Sequence, residues 1–309
     1  MSEGLRIFDG GVAIVTGAGS GIGAALSQEL AARGAEVVLL DIDVGDAETV
    51  ADRIRARGGR ATARHLDVTS GTSFADVVAE TRERLGRLDY LFNNAGIGIG
   101  GEAAEYTLEA WDRILGVNLL GVIHGVHAAY PAMIRQGFGH VVNTASMAGL
   151  TTGPGMISYM TTKHAVVALS RALRAEAASY GVRVSVLCPG VIRTPLLEGG
   201  KHGMFLGSLP VERQKQLVRE FFERLRPMSP PVFARKALDR IARNTEIVIV
   251  PGWWRLLWWL ERASPALTGF VARKSFERGQ RVLQQERFTK ARGRPSTGAT
   301  DDPLGRNLL

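Results

Sequence analysis

The stretch VAIVTGAGSGIG, Val12 to Gly23, is an apolar run that stops at Thr16, passes through glycines at 17, 19, 21 and 23, and opens into a helical pattern from Ile22 to Arg33. A short continuous apolar run bounded by glycine reads as a buried strand, and the pattern after it ends before Gly34, the usual place for a helix stop. Strand, glycine loop and helix together make the first half of a βαβ unit. Glycines at such a turn let backbone N–H groups approach a pyrophosphate at the positive end of the helix. The candidate contacts are Gly17, Ser20, Gly21, Ile22 and Gly23. About 20 residues on, the run VVLLD ends at Asp41, where a carboxylate can accept hydrogen bonds from ribose hydroxyls.

Working outward, further strand-like runs fall at 36–41, 61–66, 88–92, 140–145, 183–188 and 246–250, with helical stretches between them. Several are continuously apolar, as expected of strands covered by helices on both faces. The alternation predicts right-handed crossovers and an α/β fold: one Rossmann-type, doubly wound parallel sheet of about seven strands, with ligands at the strands' carboxyl ends. A second helix is predicted over 47–57, with Asp46 as its N-cap and Gly58 and Gly59 as its stop.

With 309 residues, 45% of them apolar, the chain can bury a large core, and it shows no second glycine fingerprint and no internal repeat. Its single cysteine, Cys188, excludes an intramolecular disulfide and reads as a buried structural thiol. The first eleven residues lack the pattern of a secretory leader, so the expected location is cytoplasmic. No metal site is expected. Of the net charge of +8, residues 252–309 carry 11 Lys and Arg against 5 Asp and Glu, leaving 27 against 25 for residues 1–251. The high charge therefore belongs to the end of the chain. A nucleic-acid role would rest on that tail alone and is not expected.

Three further groups carry chemistry: the turn Asn93-Asn94-Ala95-Gly96, the triplet Ser146, Tyr159 and Lys163, and the turn from Pro189 to Thr194. A helical residue at i+4 lies one turn along the same face, so Lys163 can stand beside Tyr159. A free phenol titrates near ~10, and bringing it to neutrality takes about 4 kcal/mol of differential stabilisation of the phenolate. A nearby ammonium can supply part of that.

With TGxxxGxG from Thr16 to Gly23, NNAG from Asn93, Ser146, the Tyr159-x-x-x-Lys163 pair and the Pro189-Gly190 turn, residues 10–251 closely resemble the short-chain dehydrogenase/reductase family. The resemblance implies that Tyr159 is the general acid/base, that Lys163 lowers its pKa and holds the nicotinamide ribose, and that Ser146 orients the substrate oxygen. It implies that Asn118 anchors a water relay from the lysine, although Asn118 also reads as a buried amide that bends its helix. Asp67 and Val68 match the family's adenine contacts, while Asp67 alternatively caps the helix after Thr69. Asn93 is expected to touch the cofactor through its backbone, with Ala95 and Gly96 beside it and Asn94 chiefly structural. Pro189, Gly190, Ile192 and Thr194 match the turn that meets the nicotinamide carboxamide. Small residues are usual around the family's lysine; here Tyr-Met-Thr-Thr-Lys-His replaces them, with His164 read as structural. NAD is expected over NADP, because Asp41 repels a 2′-phosphate and neither Ser20 nor Ile42 offers a cation to bind one.

Residues 195–231 fall where the family places its substrate lid. Leu196, Leu197, Met204, Phe205, Leu206, Phe221 and Phe222 make that lid apolar, and Met147, Leu150 and Met156 lie near the triplet in sequence. The resulting expectation is a secondary alcohol or ketone of hydrophobic, lipid- or steroid-like character. A catalytically silent nucleotide sensor or scaffold with the same fold is the alternative. Beyond 251, residues 252–287 read as an amphipathic, Trp-rich helical extension and 288–309 as a basic, disordered tail. The apolar core of the extension, Trp253 to Leu260, is too short to cross a bilayer. It can rest on an anionic membrane, close the cleft or join a dimer. The family resemblance implies a homodimer or homotetramer.

Overall fold

In chain order the body comprises β1 (Val12–Thr16), α1 (Gly21–Ala32), β2 (Glu36–Asp41), α2 (Val44–Arg55), β3 (Arg60–His65), α3 (Gly71–Leu85), β4 (Tyr90–Asn93), β5 (Gly98–Gly100), α4 (Leu108–Leu115), α5 (Gly121–Gln136), β6 (Gly139–Thr144), α6 (Ile157–Ala177), β7 (Val182–Pro189), β8 (Gly203–Phe205), α7 (Val211–Arg224), α8 (Pro230–Ala242) and β9 (Ile247–Val250). Two helices follow, α9 (Trp254–Ala263) and α10 (Pro265–Arg292). The structure is a computed structural model that describes residues 4–198, 202–207 and 211–292.

Seven strands form one parallel sheet in the order β3-β2-β1-β4-β6-β7-β9. Strands β1, β4 and β6 are buried along their whole length, and the apolar residues of β1 and β4 run without a break while β6 also buries His140 and Asn143. One face of the sheet carries α1, α2 and α8 over a cluster that includes Leu26, Leu39, Phe92 and Phe233. The other carries α3, α5 and α6 over Ile14, Phe74, Leu91 and Met133. The order reverses between β1 and β4, and this opens a crevice at their carboxyl ends.

The seven predicted strands are all present, each displaced from its sequence-based bounds by no more than two residues at either end. Helix α2 differs from its expected start. Its N-cap is Asp43, whose carboxylate accepts from the N–H groups of Gly45 and Asp46, so Asp46 lies inside the first turn. Two features were not expected: a two-stranded parallel pair, β5 with β8, and a π-helical turn, Gly116–Leu120, between α4 and α5. Helix α10 extends to Arg292, past the expected start of the tail at 288, and residues 293–309 lie outside the described residues.

Candidate active site

A cavity of about 810 Å³ fills the crevice. The glycine loop, Asp41, Asp67 and Val68 line one part of it, and Ser146, Tyr159 and Lys163 line another. Gly17 has φ +63°, a conformation that favours glycine, and a Cβ on Gly23 would overlap the carbonyl oxygen of Gly17. Local packing thus requires the fingerprint. Helix α1 starts at this loop, and Ser20, its N-cap residue, makes no side-chain capping bond. The helix's first N–H groups remain available to an anion.

Asp41 is held in place. Its Oδ2 accepts from Gly19 N at 2.8 Å and its Oδ1 from Asp43 N at 3.0 Å. The carboxylate is buried but still reaches the cavity wall. Asp67 Oδ1 accepts from the N–H and hydroxyl of Thr69 at 2.9 and 2.8 Å. These bonds close a local turn and do not cap α3, whose N-cap is Ser70, with its hydroxyl accepting from Ser73 N; Asp67 lines the cavity. A set of uncapped helix N–H groups, a fixed carboxylate and a buried ammonium suits the phosphates, ribose and nicotinamide end of a dinucleotide.

After β4 the two asparagines divide the work in an unexpected way. Asn93 is buried outside the cavity, with its Nδ2 donating to Asn143 Oδ1 at 2.9 Å. Asn94 lines the cavity and also braces the glycine loop, its Nδ2 donating to Thr16 O at 3.0 Å. Ala95 and Gly96 line the cavity as expected, as do Pro189, Gly190, Ile192 and Thr194. Gly23 and Asn118 do not.

Helix α6 presents Tyr159 and Lys163 on one face. The Lys163 ammonium lies 5.5 Å from the Tyr159 ring centroid and donates to Thr144 O at 2.9 Å. Burial lowers the lysine to about 8. Burial pushes the Tyr159 phenol above its usual value, and a hydrogen bond with Ser146 pulls it back. Ser146 Oγ also accepts from Ala148 N at 3.1 Å, which fixes its position. Asn118, fully buried in the π-turn, pairs both ways with the Ile97 backbone: Oδ1 accepts from N at 2.8 Å and Nδ2 donates to O at 2.9 Å. Gly96 separates it from the lysine, since a Cβ there would lie 3.3 Å from Asn118 Oδ1 and 3.6 Å from Lys163 Nζ.

His164 bonds the Met160 carbonyl of its own helix and does not reach the cavity. Cys188 is fully buried, and burial lifts its thiol to about 12, so it is inert as a nucleophile. Of the predicted apolar wall, Met156, Leu196, Leu197, Phe205 and Phe222 line the cavity. Met147 and Leu150 instead belong to the core, Met204 and Leu206 pack against Ile99, Ala110 and Ile114, and Phe221 is exposed. Residues 199–201 and 208–210 of the lid lie outside the described residues. Ile97 and Ile99 on and beside β5, with Asp112 and Arg113 of α4, are lining residues that the sequence did not flag. No motif marks them, because a three-residue strand and one helix face carry no distinctive pattern.

The sequence model of the short chain dehydrogenase family matches residues 11–203. The cyclohexanol dehydrogenase of Acinetobacter sp. (strain SE19) is 37% identical over 210 residues, covering 68% of this chain and 84% of the relative. The D-beta-hydroxybutyrate dehydrogenase of Rhizobium meliloti (strain 1021) is 36% identical over 188 residues, covering 60% of this chain and 73% of the relative. Among solved structures, a short chain dehydrogenase/reductase from Burkholderia phymatum in complex with NAD aligns with TM-score 0.76 and 31% identity, over 85% of this chain and 96% of that one. The chain belongs to the short-chain dehydrogenase family. It is an oxidoreductase of the CH–OH group that uses a nicotinamide dinucleotide.

Proposed function

We propose that this protein interconverts a hydrophobic secondary alcohol and its ketone with NAD, using Tyr159 as general acid/base. The observation that carries the proposal is one cavity that joins a cofactor cradle to Tyr159, Lys163 and Ser146 beneath an apolar lid. A bound nicotinamide in its oxidised form supplies the hydride acceptor and a positive charge beside the phenol. Tyr159 Oη takes the proton from the carbinol oxygen, and Ser146 Oγ orients that oxygen. Lys163 favours the phenolate electrostatically, and Asn118 holds the far end of a water path for the proton. Residues 1–251 form the catalytic domain, with 195–231 as its lid and the rest appended. The exposed Leu108, Leu120 and Ile123 on α4, the π-turn and α5 suit a homodimer or homotetramer contact.

Substrate class follows from the wall. Ile97, Ile99, Met156, Leu197, Phe205 and Phe222 can bury an alkyl chain or fused rings. Across secondary alcohols of increasing length, kcat/KM should rise about threefold per added methylene until the pocket is filled. A flat or falling series would exclude an apolar substrate. NAD binding without turnover of any alcohol or ketone would favour the silent sensor.

NAD preference follows from Asp41, whose neighbours in the lining, Ser20 and Ile42, carry no cation. The ratio of kcat/KM for NAD to that for NADP should exceed about tenfold, since an unpaired 2′-phosphate would meet a fixed carboxylate. Asp41→Ala should narrow that ratio and also raise KM for NAD, because Gly19 N loses its acceptor. A wild-type preference for NADP would sink this reading.

A further inference from the structure

Helix α9 has two apolar faces with different fates. Trp254, Leu257 and Trp258, spaced i, i+3 and i+4, join a cluster with Leu197, Phe222 and Leu225 of the lid region. Trp254 sits directly on the Pro189-Gly190 turn: a Cβ on Gly190 would overlap its indole. Glu261, at the far end of α9, accepts from the Thr152 hydroxyl at 2.9 Å, in the loop after Ser146. The inner face is therefore tied to the cofactor turn, the lid and the catalytic loop together.

The outer face is bare. Trp253, Leu256, Trp259, Leu260, Leu267 and Phe270 are each at least 42% exposed. With Val271 they make seven of the fifteen large apolar side chains exposed among the described residues, all within 19 positions. Scattered exposure needs no explanation, but a concentration like this marks an interaction site. Cations accompany it: residues 252–281 hold Arg255, Arg262, Arg273, Lys274, Arg278 and Arg281 against Glu261 and Glu277. The Arg262 guanidinium lies over Trp258, and the Arg273 guanidinium and Lys274 ammonium flank Phe270.

We propose that α9 and the first half of α10 dock the enzyme on an anionic lipid surface, with the lid and cavity held against that surface by the inner face of α9. Exposed Trp, Leu and Phe beside Arg and Lys suit the headgroup boundary of an anionic bilayer, where apolar burial and cationic attraction add. A second copy of this chain fits less well. A two-fold contact brings the same patch onto itself, so a segment with six cations and two anions would face its own charge. Penetration is shallow, since the stretch long and apolar enough to span a membrane among the described residues, Leu108–Gln136, is partly buried in the catalytic fold and contains Asn118. The docking rests on the reading of an apolar substrate only for its purpose, namely delivery of an alcohol that dissolves in the bilayer.

The test is flotation of the full chain with phosphatidylcholine vesicles, with and without phosphatidylglycerol. The chain should float with the mixed vesicles, at least about tenfold less with phosphatidylcholine alone, and less again at high salt. Leu256→Glu with Trp259→Glu should cut flotation at least about tenfold, leaving the melting temperature and the turnover of a short, water-soluble alcohol unchanged. Arg273→Glu with Lys274→Glu gives a second variant should the first misfold, and it should lose the anionic preference. Absence of flotation at any salt overturns the proposal, and so does equal flotation on both vesicle types. Loss of an oligomer on gel filtration in these variants, with flotation intact, assigns the face to self-association instead. Flotation is read without turnover, so attachment and substrate class fail independently.

Discussion

Tyr159→Phe is expected to lower kcat by about 10³-fold, within the range for loss of a positioned acid/base, while the dissociation constant for NAD changes by less than about threefold. The ring itself packs against the cluster of Ile99, Ala110 and Ile114, and phenylalanine keeps that packing, so the melting temperature should hold. What is lost is one hydroxyl, whose partner is Ser146. Because that bond pulls the phenol's pKa down against the upward push of burial, Ser146→Ala should move the pH profile of alcohol oxidation to higher pH. Stopped-flow turnover and NAD fluorescence titration measure both effects. Residual activity within tenfold of wild type in Tyr159→Phe would remove the phenol from the proton path.

The burial that raises Tyr159 also weakens its helper. Lys163 falls to about 8 because it is buried, and its ammonium is held by a hydrogen bond to Thr144 O. The protein alone therefore holds both groups nearer neutral than the chemistry needs. In the proposed mechanism an added positive charge beside the phenol would bring the tyrosine into range and would couple proton transfer to cofactor occupancy.

Strands β1, β2 and β9 were legible because they are buried on both sides, and burial on both sides is written as runs of Val, Ile and Leu. The glycine fingerprint was legible for a different reason: Gly23 has no space for a side chain whatever the ligand. The two asparagines after Phe92 were not. Strand β4 runs through Asn93, and side chains alternate along a strand, so adjacent identical residues turn to opposite sides. Asn93 then meets Asn143 in the interior while Asn94 turns to the glycine loop. No composition rule distinguishes them without the strand's final residue. The same limit misassigned the cap of α2, where Asp41, Asp43 and Asp46 compete within six residues and the end of β2 decides. The apolar residues between 195 and 231 were visible in the sequence, yet which of them face the cavity depends on β8 pairing with β5, a contact made only in the folded chain.

Acidification should destabilise this fold through a histidine that has no part in the chemistry. His140, on β6, is fully buried, and Ser185 Oγ lies 2.9 Å from its Nε2. The Ser185 hydroxyl already donates to Thr245 O at 2.7 Å. Its oxygen must therefore accept from His140, which puts the proton on Nε2 and leaves Nδ1 bare, without any partner. A second proton on Nδ1 would create a buried cation facing Arg183 and Arg174, with Tyr90, itself pushed up to about 12 and so uncharged, as its aromatic neighbour. Burial first, and the two arginines after it, hold the imidazole down at about 3. The unfolded chain takes up this proton near pH 6.5 and the folded chain does not. The stability that His140 contributes is therefore present above pH 6.5 and falls as pH drops from there toward 3. Between pH 6.5 and about 4.5 the loss from this one group is about 2 kcal/mol. Urea unfolding at a series of pH values should show that slope in the wild type. His140→Gln, which keeps a donor toward Ser185 but cannot titrate, should flatten it even if its stability at neutral pH is lower. An equal slope in the two proteins would assign the acid sensitivity to other groups.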